Sequence, residues 1–140
     1  MTSLFASDIT HCMRKNISSG SYLEDPIGFS RAVRICNIIA VSGTAPIPDE
    51  KFTGSLESVY DQTKLCLEIT KKSIEEAGGK ITDTLRTRIM LTDISKWKEA
   101  ARAHGEFFGS IKPACTFVEV KGFIDPSWLV ETEADCYVVE

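Results

Sequence analysis

The chain lacks most of the features that mark membrane, metal-binding or disulfide-stapled proteins. Its most apolar stretch, residues 35–41, has the length of a strand and is far from the ~18 apolar residues of a membrane-spanning helix. Histidine occurs only twice in 140 residues, so no metal site is expected. The five cysteines are odd in number, widely spaced and without a Cys-x-x-Cys pair. They predict no disulfide framework and favour a reducing, cytoplasmic setting.

Basic residues are also in the minority, with 16 Lys and Arg against 20 Asp and Glu and a formal net charge of −4. Nucleic-acid binding depends largely on cations that neutralise phosphates, so a nucleic-acid partner is not expected. The composition, 43% hydrophobic and 26% charged, is typical of a soluble globular protein. The length fits one domain. We place that domain at residues 27–140, after an N-terminal extension over residues 1–26 that shows no sustained period.

Hydrophobic periodicity predicts two helices and five strands. The clearest helix covers residues 55–77, where apolar side chains recur every three to four positions. A second helix, capped by Asp93 or Ser95, is predicted to end near Phe108. The predicted strands cover residues 29–33, 35–42, 81–91, 114–120 and 129–139. The order β-β-α-β-α-β-β indicates an α+β fold with both helices on one face of the sheet.

The predicted strands differ in how their side chains divide between the two faces. In the third strand, Leu85, Thr87, Ile89 and Leu91 are expected to share one face. The last two strands carry apolar side chains on both faces, and such strands are usually buried on both. Since two helices cover only one face, a second copy of the chain is the economical cover for the other.

Six short motifs follow one another between residues 28 and 138. They are GFSRAV at 28–33, VSGTAP at 41–46, Gln62-Thr63 with Ala77-Gly78, Thr92-Asp93-Ile94 with Phe107-Phe108, PACTFVEV at 113–120 and LVETEA at 129–134. In this order they resemble the YjgF/RidA (reactive intermediate deaminase, or endoribonuclease L-PSP-like) family. The resemblance implies the chorismate mutase-like fold, a homotrimer with a small-molecule cleft at each subunit interface, and no cofactor.

The resemblance also implies which residues form the cleft. Glu131 matches the glutamate that helps to position an attacking water, and Ser42 and Gly43 match the ligand-contacting loop. Phe29 stands where the family often has a tyrosine. Cys115 stands where active members carry the arginine that grips the substrate carboxylate, and a thiol cannot imitate that planar, bidentate interaction.

Residue spacing and charge add further candidates. Glu133 shares a strand face with Glu131, so the two carboxylates either perform acid–base work or form a solvated or salt-bridged face. Arg88 is the cation that we expect to bind the substrate anion in place of the arginine that Cys115 replaces, with Arg31 and Arg34 as weaker rivals. Its alternative role is a salt bridge between subunits to Glu119, Glu131 or Glu133.

Two interpretations of Cys115 stay open. In one, its thiol is a nucleophile and His104 is its base. In the other, Cys115 is a small buried residue, and His104 packs on the apolar stripe of the second helix beside Phe108.

The lead functional prediction is a hydrolase or deaminase that acts on small, reactive enamine or imine metabolites in clefts between subunits. In it Glu131 orients water, the backbone from Cys115 to Phe117 contributes hydrogen bonds, and Arg88 attracts an anionic substrate. The alternative is a non-catalytic trimer that binds a metabolite or a protein partner. A third candidate is the ribonuclease activity by which some relatives are labelled. It requires a cationic groove, against which the acidic composition argues.

Overall fold

The computed structural model describes residues 12–139, which form one mixed sheet with helices on one of its faces. The elements, in chain order, are β1 (Lys15–Ile17), α1 (Glu24–Ile27), β2 (Ala32–Ile35), β3 (Ile38–Thr44), α2 (Val59–Glu76), β4 (Thr84–Leu91), α3 (Trp97–Phe108), β5 (Ala114–Glu119) and β6 (Val130–Tyr137), with 3-10 turns at Ile81–Asp83 and Ile94–Lys96. The six strands form the sheet in the order β1-β2-β3-β6-β4-β5. The α+β class and the order of the predicted elements are confirmed.

Helix α2 begins later than its hydrophobic pattern suggests. Ser58 adopts an extended conformation, and its hydroxyl accepts a hydrogen bond from the Asp61 backbone N–H, as N-cap residues commonly do. Residues 55–58 form a turn, because the Ser58 N–H donates to the Ser55 carbonyl. After Glu76 the chain leaves the helix through Gly78, whose φ of 86° suits glycine.

The core lies between the helices and the sheet. Helix α2 contributes to both of its clusters, with Ile74 in one and Cys66 in the other. Along β6 the side chains alternate between buried and half-buried or exposed. The buried ones face the helices and are Val130, Thr132, Ala134 and Cys136. Helices α2 and α3 therefore cover one face of the sheet, as predicted.

Strand β4 lies between a parallel neighbour, β5, and an antiparallel one, β6. Thr87, Ile89 and Leu91 are buried on the helix side, as expected. The prediction was wrong for Leu85, whose side chain is 59% exposed. The reason is a register shift in the pairing with β6 between Thr84 and Arg86, which interrupts the alternation of side chains.

The N-terminal region contributes a strand that periodicity did not reveal. Strand β1 has only three residues and pairs antiparallel with β2 through Lys15↔Arg34, so it forms one edge of the sheet. The predicted strand at 29–33 begins instead at Ala32, because Gly28 takes a φ of 86° and ends α1 there. Residues 1–11 of the proposed extension lie outside the described residues.

The cysteine pattern predicted no disulfide framework, and the structure departs from that prediction at one pair. Cys12 and Cys36 form a disulfide, whereas Cys66, Cys115 and Cys136 are free. The β1–β2 register, continued towards the N-terminus, brings Cys12 beside the β2–β3 turn that contains Cys36. Their wide sequence separation conceals this proximity. The cytoplasmic location stays a prediction, and disulfides are rare in cytosolic proteins.

Candidate functional site

We call the sheet face opposite α2 and α3 the open face. Glu131, Glu133 and Asp135 of β6 point towards it and are half-buried. The register pairs Met90 with Glu131 and Arg88 with Glu133, so these β4 side chains lie on the same face. The structure thus brings together three of the predicted site residues, Glu131, Glu133 and Arg88.

Ser42 reaches this face by the regular alternation of β3, after Ile38 and Ala40. The β3–β6 register shifts between Val41 and Thr44, so Gly43 is the residue that breaks the alternation. The Ser42 hydroxyl donates to the Ser30 carbonyl over 2.6 Å. A Cβ atom added at Gly43 would lie 3.2 Å from Oε1 of Glu131. The bare glycine backbone therefore lets the Glu131 carboxylate approach the loop closely.

Arg31, which the sequence placed below Arg88 as the cation expected to bind the substrate anion, lies behind this loop. Its side chain is only 5% exposed, and its Nη2 donates to the Gly43 carbonyl. The guanidinium carbon lies 5.6 Å from the centre of the Phe29 ring, a cation–π distance. The Arg31 Nε has no hydrogen-bond partner within the part of the chain that the structure describes. Phe29, Arg31, Gly43 and Glu131 thus form one connected cluster.

Burial dominates the electrostatics of this cluster. It raises the pKa of the Glu131 carboxyl; the positive charge of Arg31 opposes that increase, and the negative charge of Glu133 adds to it. Burial likewise lowers the pKa of Arg31, although Glu24 and Glu131 act in the other direction. Glu131 therefore holds a proton more readily than an ordinary surface glutamate does, which is the property of a tuned acid–base group.

Arg88 has a partner within its own chain. Its Nη1 lies 3.6 Å from Oδ2 of Asp135, and both side chains are partly exposed. Asp135 is not among the salt-bridge partners predicted for Arg88. It lies diagonally opposite Arg88 on the neighbouring strand β6, and sequence spacing alone does not reveal such a pair. A partly exposed ion pair contributes little to stability. An anionic ligand could therefore replace Asp135 as the partner of Arg88 with little loss of free energy.

The other rival cation, Arg34, serves the turns at the end of the sheet. It donates through Nε to the Cys36 carbonyl and through Nη1 to the Ala77 carbonyl.

Cys115 and Phe117 lie on the other face of the sheet from Glu131. The parallel register pairs Cys115 with Thr87 and Phe117 with Ile89, so both point to the helix side. Phe117 packs against the core. Cys115 is exposed, which contradicts its interpretation as a buried residue, because β5 is an edge strand that the helices do not cover at this end.

His104 packs in the helix layer, in agreement with one of its two interpretations. Its ring lies 4.7 Å from that of Phe108 and 6.3 Å from that of Phe117. Nε2 is 2.8 Å from the Thr87 hydroxyl, and burial lowers the pKa of the imidazole. Because Thr87 is the register partner of Cys115, the imidazole lies on the same side of the sheet as the thiol.

The structure of residues 12–139 bears on two further kinds of feature, clusters of metal-ligating side chains and membrane-spanning helices. No group of three or more His, Cys, Asp or Glu side chains there is placed to hold a metal ion. None of the helices in this range is long and apolar enough to span a bilayer.

The chemistry that the open face offers is that of a carboxylate with a raised pKa beside exposed backbone groups.

Comparison with known proteins identifies the relatives of this fold and site. The family model described as endoribonuclease L-PSP matches residues 23–138. The chain is 34% identical over 123 residues to an uncharacterized protein of Streptomyces coelicolor, covering 88% of this chain and 91% of that one. It is 33% identical over 128 residues to a RutC family protein of Pyrococcus abyssi, covering 89% and 98%.

A solved structure extends the likeness to three dimensions. Rv2704 of Mycobacterium tuberculosis, described as a member of the YjgF/YER057c/UK114 family, is 41% identical and superimposes with a TM-score of 0.82 over 90% of this chain and 100% of that one. The motifs that pointed to this family also contain the residues gathered around Glu131. The chain belongs to the endoribonuclease L-PSP family, also called the YjgF/RidA family.

Proposed function

We propose that the protein is a hydrolase that deaminates small, reactive enamine or imine metabolites, with Glu131 as the group that activates water. The observation that carries the proposal is the environment of Glu131: a half-buried carboxylate of raised pKa, close to the Gly43 backbone and backed by the cation of Arg31. General bases of this kind need a pKa shifted towards the working pH.

The chemistry requires only water and one proton carrier. Glu131 accepts a proton from water as the oxygen bonds to the imine carbon, which gives a carbinolamine. Attack on the protonated imine leaves this carbinolamine neutral, and the same carboxyl then gives its proton to the nitrogen. As the C–N bond breaks, the hydroxyl proton passes to the departing ammonia, so a keto compound and an ammonium ion leave and Glu131 is again a carboxylate. An enamine first takes a proton on carbon to become the imine. Each step balances without a cofactor, and none is proposed.

The cleft is proposed to form between subunits of a homotrimer. The open face carries exposed apolar side chains, among them Ile38, Val118 and Tyr137, and a second copy would cover them. Strand β5 is an unpaired edge, so Cys115 is available to a neighbouring subunit. In this arrangement Arg88, which lies on the face of Glu131, attracts the carboxylate of an anionic substrate in place of the family's arginine.

The proposal is tested by coupling the protein to an amino-acid oxidase that generates 2-iminopropionate while semicarbazide traps the remaining imine. The wild type should accelerate pyruvate formation, and Glu131→Gln should lower that activity by about 100-fold or more, as expected when a general base is removed. Glu68→Gln is the matched control, since Glu68 lies exposed on α2 and its variant should keep full activity.

A binding protein without catalysis is the second candidate, and one observation favours it. Two arginines that could bind an anion beside Glu131 already have partners, Arg31 in the Gly43 carbonyl and Arg88 in Asp135. Saturable binding of small keto acids without turnover of any imine in a panel would support this candidate and reject the deaminase.

A further inference from the structure

A cavity of about 490 Å³ opens on the helix side of the sheet, away from Glu131. Its walls are the N-terminal segment 18–22, the loop 45–49 and the side of α2 from residue 65 to 76. The volume lies within the range of small-molecule sites. Because Glu131 is not among the lining residues, an inference from this cavity does not rest on the proposed function.

The N-terminal wall of the cavity is held in place by a buried carboxylate. Oε2 of Glu24 accepts hydrogen bonds from the Ser19 N–H at 3.0 Å, the Ser19 hydroxyl at 2.8 Å and the Ser21 N–H at 3.1 Å. These bonds lower the pKa of Glu24 despite its burial, so the carboxylate stays ionised. A wall fixed in this way is ready for a ligand without further ordering.

The interior of the cavity combines one cation with an apolar floor. Leu65 and Ala45 are buried, and Ile69 and Ile47 extend the apolar surface towards the mouth. Arg31 lines the same cavity, and its Nε lacks a partner among the described residues. The carboxylates of Glu24 and Glu131 do not fully offset the burial of this guanidinium, since its pKa is lowered.

The mouth of the cavity limits the charge of an occupant. Asp49 and Glu76 line the cavity together with Lys72. Nζ of Lys72 lies 3.9 Å from Oε1 of Glu76. A dianion such as a phosphate monoester would be repelled there by the carboxylates of Asp49 and Glu76. The ammonium nearby, that of Lys72, is already paired with Glu76. A monoanion with a hydrocarbon part matches both the lone interior cation and the apolar floor.

We propose that this cavity is a second ligand site, which binds a small amphipathic monocarboxylate with its carboxylate at Arg31 and its hydrocarbon part against Leu65 and Ile69. The site is separate from the open face. Arg31 lines the cavity and also donates to the Gly43 carbonyl, so an occupant lies one residue away from the Glu131 cluster.

The test is a titration of the full chain with hexanoate, followed by amide chemical shifts in two-dimensional NMR, with 1-hexanol as the uncharged comparison. Hexanoate should shift amides in segments 18–22, 45–49 and 65–76 in a saturable manner. It should bind about tenfold more tightly than hexanol, which corresponds to one charge-assisted hydrogen bond. Ile69→Trp and Ile47→Trp, which fill the cavity from two different walls, should each weaken binding at least about tenfold.

Ile124→Trp is the matched control, because Ile124 is exposed in the β5–β6 loop outside the cavity, and it should bind as the wild type does. Equal affinity for hexanoate and hexanol would overturn the role of Arg31. Absence of saturable shifts, shifts confined to the open face, or unchanged binding by both cavity-filling variants would overturn the site itself.

Discussion

At the scale of single residues, the chemistry proposed for the open face depends on Glu131 and on the two residues that shape its surroundings. Gly43 permits a close approach because it has no side chain. Arg31 supplies positive charge from a buried position. Neither interaction requires the arginine that Cys115 replaces, so the proposed base is in place even though the family's usual anion-binding residue is missing.

The raised pKa of Glu131 has a consequence for folding stability. A carboxyl whose folded pKa exceeds its unfolded value binds its proton more tightly in the native state. Its contribution to stability is therefore full below the unfolded pKa and is lost as the pH rises through the folded pKa. Glu131→Gln removes this pH-dependent decline, so it should raise the free energy of unfolding, relative to wild type, more at pH 7 than at pH 4. Urea unfolding at the two pH values measures this difference, and Glu68→Gln should show no such pH dependence.

Gly43→Ala tests the close approach directly. The new Cβ would lie 3.2 Å from Oε1 of Glu131, so the carboxylate has to move by a few tenths of an ångström. We expect kcat/KM for 2-iminopropionate to fall about tenfold, since small misplacements of catalytic groups are costly. Gly105→Ala, where a Cβ meets no atom within 4 Å, is the control. Undiminished activity of Gly43→Ala would show that this close approach does not position the base.

At the scale of elements, sequence patterns predicted what regular alternation encodes. The helices, four of the five predicted strands and the shared face of Glu131 and Glu133 follow from periods of 3.6 and 2. What the patterns missed lies where register breaks, at Leu85 in β4 and at Gly43 in β3. Arg31 was underrated because nothing in a single sequence shows that a charged side chain before a strand is buried. The strand β1 is too short to have a period.

The N-terminal strand is fixed covalently as well as by pairing. The disulfide between Cys12 and Cys36 closes a separation of 24 residues, and a loop of that size corresponds to roughly 3 kcal/mol of unfolded-state entropy. Cys12→Ser should therefore lower the free energy of unfolding in urea by about that amount under oxidising conditions. Cys115→Ser, which removes a free exposed thiol, should not. Identical stability of Cys12→Ser and wild type without reductant would contradict the pairing.

At the scale of the whole molecule, the open face carries an apolar patch at one end of the sheet. Ile38 pairs with Tyr137 on one side and with Ile35 on the other. Their side chains are 58%, 48% and 41% exposed, respectively. Contiguous exposed apolar surface of this kind marks an interface, which agrees with the proposed homotrimer.

Ile38→Arg should disrupt that assembly, because it places a cation within the proposed interface. Light scattering after size exclusion should give three times the chain mass of 15.5 kDa for the wild type and a single chain mass for the variant. Ile27→Arg is the control, since Ile27 is also exposed but lies in α1. A monomeric wild type would remove the inter-subunit cleft from the account.

The most direct test of the central claim is the rate of pyruvate formation from 2-iminopropionate by the wild-type protein beside Cys115→Arg. If Glu131 on the open face supports hydrolysis without the family's arginine, the wild type accelerates the reaction over the uncatalysed rate. The guanidinium of Cys115→Arg, reaching the cleft of a neighbouring subunit in the proposed homotrimer, raises kcat/KM further. An inert wild type with an active Cys115→Arg would contradict the account, because the scaffold would then be competent and the native protein would not be a deaminase.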